Sequence, residues 1–206
     1  IAYQKLNLID EAINSYKDVL ELEPEFTDAY LNLGIIFDET GQLDESLKNL
    51  ERAIEIDPTN YLAYNNLGIT LKKLDRIDDA IESFKKAILI SPDHPGTNHN
   101  LGMLLVKYHQ SHIALPFLKT ALEANSNAEP YWVNYINALI NSDELDTAKK
   151  FIKKANEAGF FGEKFDTLSA RLLSPIQVHA KGKFFKARDG HYLDFLNALH
   201  QNIFEV

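Results

Sequence analysis

Asparagine recurs at one fixed interval in this chain: Asn32, Asn66, Asn100 and Asn134 stand 34 residues apart. A primary amide offers one acceptor and two donors, enough to meet both polar groups of an extended peptide unit. Set at regular intervals, such amides would grip a backbone while saying little about its side chains. The same amides can instead bond a neighbouring helix, so spacing alone leaves both roles open. Other chemistry is thinly represented. No nucleophile stands beside a base in a recognisable pattern, no carboxylate pair carries a burial argument, and no glycine-rich cofactor loop stands out. His109 and His112 could meet near a turn, but no third ligand follows by spacing, so no metal is assigned. Lys181-Gly182-Lys183 lacks the glycine spacing and hydroxyl of a phosphate loop. Neither catalysis nor a cofactor is expected of these residues.

Composition narrows the classes further. The 206 residues suit one elongated array or one to two compact domains, with the apolar share of a folded chain. A net charge of −9 argues against nucleic acid as the main partner, since phosphate binding needs a basic surface. The acid is uneven: residues 1–60 hold 14 Asp/Glu against 4 Lys/Arg, and the remainder is close to balanced. Such an end can steer basic partners or simply keep an exposed end soluble. There are no cysteines, which removes disulfides and thiolate metal sites. No apolar run approaches membrane-spanning length and no signal peptide opens the chain, so a cytoplasmic, membrane-free protein is expected. The first residue is Ile inside a helical pattern, which suggests a fragment of something longer.

The elements that must position the amides repeat with them. Asp28-Ala-Tyr-Leu-Asn-Leu-Gly34 returns as Tyr64-Asn-Asn-Leu-Gly68 and Asn98-His-Asn-Leu-Gly102, with Trp132-Val-Asn-Tyr-Ile136 a weaker copy. Pro24, Pro58 and Pro92 follow the same ruler, the signature of a stacked helical array. Residues 1–26 read as a partial unit whose helix starts near Asp10, with Ile9, Ala12, Ile13, Tyr16, Val19 and Leu20 on one face. Residues 27–60 make a full unit: Thr27 as cap, Gly41 as stop, then a second helix with Ser46, Leu50 and Ala53 inward. Gly34 and Ala53 fall where two helices must approach closely. Residues 61–94 repeat this pattern, and 95–128 loosen it. Pro116 deletes a backbone donor about one turn into the second helix there, so that helix is expected to start late or bend. Residues 129–162 form the last pair, and a capping helix follows within 163–173. Residues 174–206 hold a linker with Lys181, Lys183, Lys186 and Arg188, then an amphipathic helix carrying Tyr192, Phe195, Leu196, Leu199 and Ile203.

These spacings resemble the tetratricopeptide repeat family, with Tyr30, Leu33, Gly34, Phe37, Ser46, Leu50, Ala53 and Pro58 filling its places in order. The resemblance covers about residues 1–160 and departs at Asn98 (no aromatic), Ser126 (no proline) and Tyr135-Ile136 (no Leu-Gly). It implies an all-α, right-handed superhelix of antiparallel helix pairs, in which the first helix of each pair lines a concave groove. Asn32, Asn66, Asn100 and Asn134 would then face that groove and bind peptide. Asn65, Lys72, Lys73, His99, Lys107 and Asn137 would tune preference beside them, with Asp28, Asp38, Glu39, Met103 and Asn141. The charges would run from acidic to basic along the groove. Leu62 and Asp28 occupy places where a clamp for a C-terminal carboxylate needs basic residues, so that clamp is not assigned. The asparagine ladder also resembles the repeats of the O-linked N-acetylglucosamine transferases and the related SPINDLY-type proteins, whose asparagines hold the substrate main chain.

Three classes follow. The chain is the substrate-recognition part of a larger enzyme such as a glycosyltransferase, or a stand-alone scaffold, or a self-associating homo-oligomeric array. In each it binds protein or peptide.

Overall fold

The computed structural model describes residues 2–172, with side chains from Leu8 onward. Among the described residues every regular element is a helix, ten in all: α1 (Ala2–Leu22), α2 (Thr27–Glu39), α3 (Leu43–Ile56), α4 (Tyr61–Lys73), α5 (Ile77–Ile90), α6 (Pro95–Lys107), α7 (Ser111–Ala124), α8 (Glu129–Asn141), α9 (Leu145–Glu157) and α10 (Glu163–Arg171). The front helices α2, α4, α6, α8 and α10 begin 34 residues apart, and so do the back helices α3, α5, α7 and α9. The chain forms two compact units, Ile1–Tyr131 and Trp132–Val206, which divide inside α8.

In the first unit α2 packs on α3, α4 on α5 and α6 on α7, while α3 also meets α4 and α5 meets α6. α1 packs on α2, and α2 touches α4 directly. Close approach within each pair rests on one missing side chain. A Cβ on Gly34 would sit 2.6 Å from Leu50 Cγ, one on Gly68 2.7 Å from Phe84 Cε1, and one on Gly102 2.5 Å from Leu118 Cγ. Leu50, Phe84 and Leu118 are fully buried there, as are Ala53, Ala87 and Ala121 one turn further on. This is packing at interior density, where even one methyl is felt.

In the second unit Ile136 takes the glycine's place and is fully buried. Aromatic packing builds this core: Trp132 lies 6.3 Å from Phe151 and 6.2 Å from Phe160, and Tyr135 meets Phe151 edge-on at 4.8 Å. Phe165, Leu168 and Leu172 of the last helical segment are buried.

Several expectations need correction. α1 does not wait for Asp10; it runs 21 residues from Ala2, because nothing between Ala2 and Asp10 is a glycine or proline. Thr27 is the first residue inside α2, the capping place belongs to Phe26, and no side chain caps that helix. At the equivalent places Asn60 accepts from the Ala63 amide and His94 from the Thr97 amide. Pro116 does not delay α7, which starts at Ser111 in step with the other back helices. Proline removes only its own hydrogen bond to the carbonyl four residues earlier, and its ring is exposed, so water can meet that carbonyl. The linker and amphipathic helix expected over 174–206 lie outside the described residues.

Candidate functional site

Side chains of α2, α4 and α6 tie these front helices into one face. The α2–α4 seam carries a polar chain. Lys73 Nζ reaches Asp38 Oδ2 at 2.5 Å and the Asp38 carbonyl at 3.1 Å. Thr70, fully buried, donates to Asp38 Oδ1 at 3.0 Å and touches Ser46 Oγ at 3.0 Å, and Ser46 donates to the Gly34 carbonyl at 2.8 Å. The pure acceptors at the two ends take both hydroxyl protons, so the Thr70–Ser46 contact in the middle is left without one. Sequence reasoning missed Thr70. Its signal was present, since Leu104 and Ala138 hold the equivalent places, and Ala80, Ala114 and Ala148 hold that of Ser46.

The α4–α6 seam is built differently. Asn100 donates to Asn65 Oδ1 at 3.2 Å, and Asn65 is buried. Next to Asn100, the His99 ring stacks 4.7 Å from Tyr131. Burial, and then the nearby Lys72 ammonium, push His99 below the usual histidine range. At the start of α6, His94 accepts from the Thr97 amide at 3.2 Å and packs 5.0 Å from Tyr61; burial lowers its pKa as well.

The four ladder amides therefore differ. Asn32 donates to the Asp28 carbonyl and Asn66 to the Leu62 carbonyl, each at 2.8 Å and each within its own helix. Both are half-buried. In each, the carbonyl oxygen and the second N–H have no partner among the described residues, so both remain for a ligand. Asn100 is committed to Asn65. Asn134 lies half-buried on α8, in the second unit. Of the tuning residues, Lys73 is held by Asp38, while Lys107 is exposed with its ammonium 5.7 Å from the Tyr108 ring centre. Within the second unit, Arg171 of α10 donates to Asn137 Oδ1 and, at 2.7 Å, to Asn141 Oδ1. Asp28 and Glu39 are exposed, and Met103 is half-buried. Asp38 and Lys73 cancel across one seam, so the expected acid-to-base progression is interrupted there. Among the described residues no group of three His, Asp or Glu side chains is placed to hold a metal, and no helix is long and apolar enough to cross a membrane.

A family model for the TPR repeat matches residues 2–40 and 36–75, and one for the tetratricopeptide repeat matches 61–94. Residues 2–94 are tetratricopeptide repeats. Solved structures extend the likeness of fold. MamA shares 23% identity over 75% of this chain and 90% of its own, with a TM-score of 0.66. YrrB, described as a TPR protein with an unusual peptide-binding site, shares 22% over 82% of this chain and 98% of its own, with a TM-score of 0.65. PilF of Pseudomonas aeruginosa shares 18% over 98% of this chain and 87% of its own, with a TM-score of 0.71. No curated protein matches the sequence. At these identities the likeness is one of fold alone. Nothing in it extends to glycosyl transfer.

Proposed function

We propose that the face formed by α2, α4 and α6 binds an extended peptide segment of a partner protein. The observation that carries this is the half-spent state of Asn32 and Asn66. Each amide gives one N–H to its own helix, which fixes its orientation, and keeps an acceptor and a donor for an incoming backbone. Preorganised in this way, the pair lowers the entropic cost of gripping a ligand. Asn65, Asn100 and Lys73 serve by holding the front helices together, and Lys72, His99 and Lys107 supply side-chain preference. Asn134 and Asn137 lie in the second unit, where Arg171 engages Asn137.

Membership of a larger glycosyltransferase is the finer proposal, and it rests on the asparagine spacing alone. Self-association is the alternative, favoured by Leu22 and Leu89, which are 84% and 83% exposed. Sedimentation across a concentration series separates a self-associating array from a monomeric binder.

The decisive experiment replaces Asn32 and Asn66 together by alanine and measures affinity for capped extended peptides drawn from a library. Binding should weaken by about 1–3 kcal/mol in total, two net hydrogen bonds' worth. Unchanged affinity with an unchanged circular dichroism spectrum would reject the role.

A further inference from the structure

We infer that the peptide received by this face carries a carboxylate side chain, seated on Lys72 at the seam between α4 and α6. The inference rests on the peptide-binding role proposed above and names the ligand's chemistry. Among the residues whose side chains are described, every lysine except Lys72 is exposed. Lys72 is half-buried, yet no Asp or Glu of the described residues stands within ion-pair distance of it. Its neighbour in sequence, Lys73, shows the ordinary solution: a carboxylate from the adjacent front helix at 2.5 Å. At the start of α5 Arg76 pairs with Asp79, and within that helix Lys86 pairs with Glu82. In a chain of net charge −9, a half-buried lysine with no acid beside it is an incomplete site.

Lys72 and Asn65 lie seven residues apart on α4 and so share a stripe of that helix. Across the seam on α6 stand His99 and Asn100. Facing His99 are the Lys72 ammonium from α4 and the Tyr131 ring at the start of α8, and the ammonium opposes protonation of the imidazole. On the α4 side of the seam, the Lys72 ammonium is met by no carboxylate of the described residues. An incoming carboxylate would neutralise that charge, where partial desolvation makes the pair stronger than one on an open surface. Asn66, one residue from Asn65, would meet the same peptide's backbone. One segment would then find an amide for its main chain and an ammonium for its acid.

The test compares two pools of capped degenerate hexapeptides, identical except for a central glutamate in one and glutamine in the other. Fluorescence anisotropy at low salt reads their binding to the full chain. The glutamate pool should bind about fivefold tighter or more. Lys72→Gln should erase that preference, and Lys72→Glu should transfer it to a matching lysine pool. Lys86→Gln, which removes the same charge from a back helix, should leave it intact. Equal binding of both pools to the natural chain, or a glutamate preference that survives Lys72→Gln, would overturn the inference while leaving peptide binding in place. Binding of neither pool would overturn both. A concentration-dependent dimer abolished by Lys72→Glu would assign the place to the acidic end of a second copy and overturn the separate peptide.

Discussion

Tyr30 and Asn98 hold equivalent places in their repeats, and each reaches back to the carbonyl of the proline six residues earlier. The Tyr30 hydroxyl donates to Pro24 at 3.3 Å, and the Asn98 amide donates to Pro92 at 2.7 Å and to His94 at 3.0 Å. In the sequence Asn98 stands out as a departure from the aromatic pattern. In the structure it is a buried amide doing the phenol's work. Asn98→Leu should therefore cost about 1–2 kcal/mol in denaturant unfolding, because the Pro92 carbonyl loses its donor while the His94 carbonyl keeps the Asn98 backbone N–H. A loss below about 0.5 kcal/mol would mean that water reaches the Pro92 carbonyl. The ladder shows the same limit of legibility. Spacing located Asn32, Asn66, Asn100 and Asn134, but whether each amide is spent depends on what lies across the seam. The partner of Asn100 is Asn65, 35 residues away in sequence, and only the stacking of α4 beside α6 brings them together.

The turn between the two helices of each pair uses one conformation four times. Gly41 has φ 80°, and Asp75, His109 and Asp143, each 34 residues further on, have φ 60°, 59° and 61°. Every one is followed by the same closing bond: Gln42 to Phe37 at 2.8 Å, and Arg76 to Leu71, Gln110 to Leu105 and Glu144 to Leu139 at 2.9 Å each. Only the first has the residue type suited to it. A side chain in the left-handed region costs about 1–2 kcal/mol, eased for aspartate by local hydrogen bonding and less so for histidine. His109→Gly should accordingly stabilise the chain by about 1 kcal/mol, with glycine's extra unfolded-state freedom offsetting part of the gain. Denaturant unfolding measures it, and a destabilisation would show that the His109 side chain holds the turn. Gly41 announced its turn in the sequence, but the other three gave no such sign, because the backbone bond rather than the residue enforces the geometry. Helix pairs and their period were legible because burial follows a 3.6-residue rhythm. Helix starts are less so: residue type points to a cap at Thr27 and to a late start or a bend at Pro116, whereas packing of the whole helix decides where it begins.

Across the whole molecule, one period carries two kinds of core. Gly34, Gly68 and Gly102 admit the side chain of the facing helix, whereas Ile136 fills its own place and aromatic rings build the second unit. Charge is also shared unequally, and two histidines couple it to stability. Burial lowers the pKa of His94, and burial together with Lys72 lowers that of His99, both from 6.5 in the unfolded chain. The folded state therefore binds protons less readily than the unfolded one, so stability rises with pH through this region. Their contribution is fully present above about pH 7 and declines once pH falls below the unfolded value near 6.5. Asp57, whose carboxyl is lowered by hydrogen bonds from the Thr59 hydroxyl and amide, acts in the same direction but only as pH approaches the ordinary carboxylate range. A fall in melting temperature between pH 7.5 and 5.5 thus belongs to the histidines. Combining His94→Asn, which keeps a capping side chain as Asn60 does one repeat earlier, with His99→Gln should flatten that fall and leave the steeper loss below pH 4 unchanged. If the doubly substituted chain lost stability over the same interval as the natural one, the two imidazoles would not be the groups that titrate.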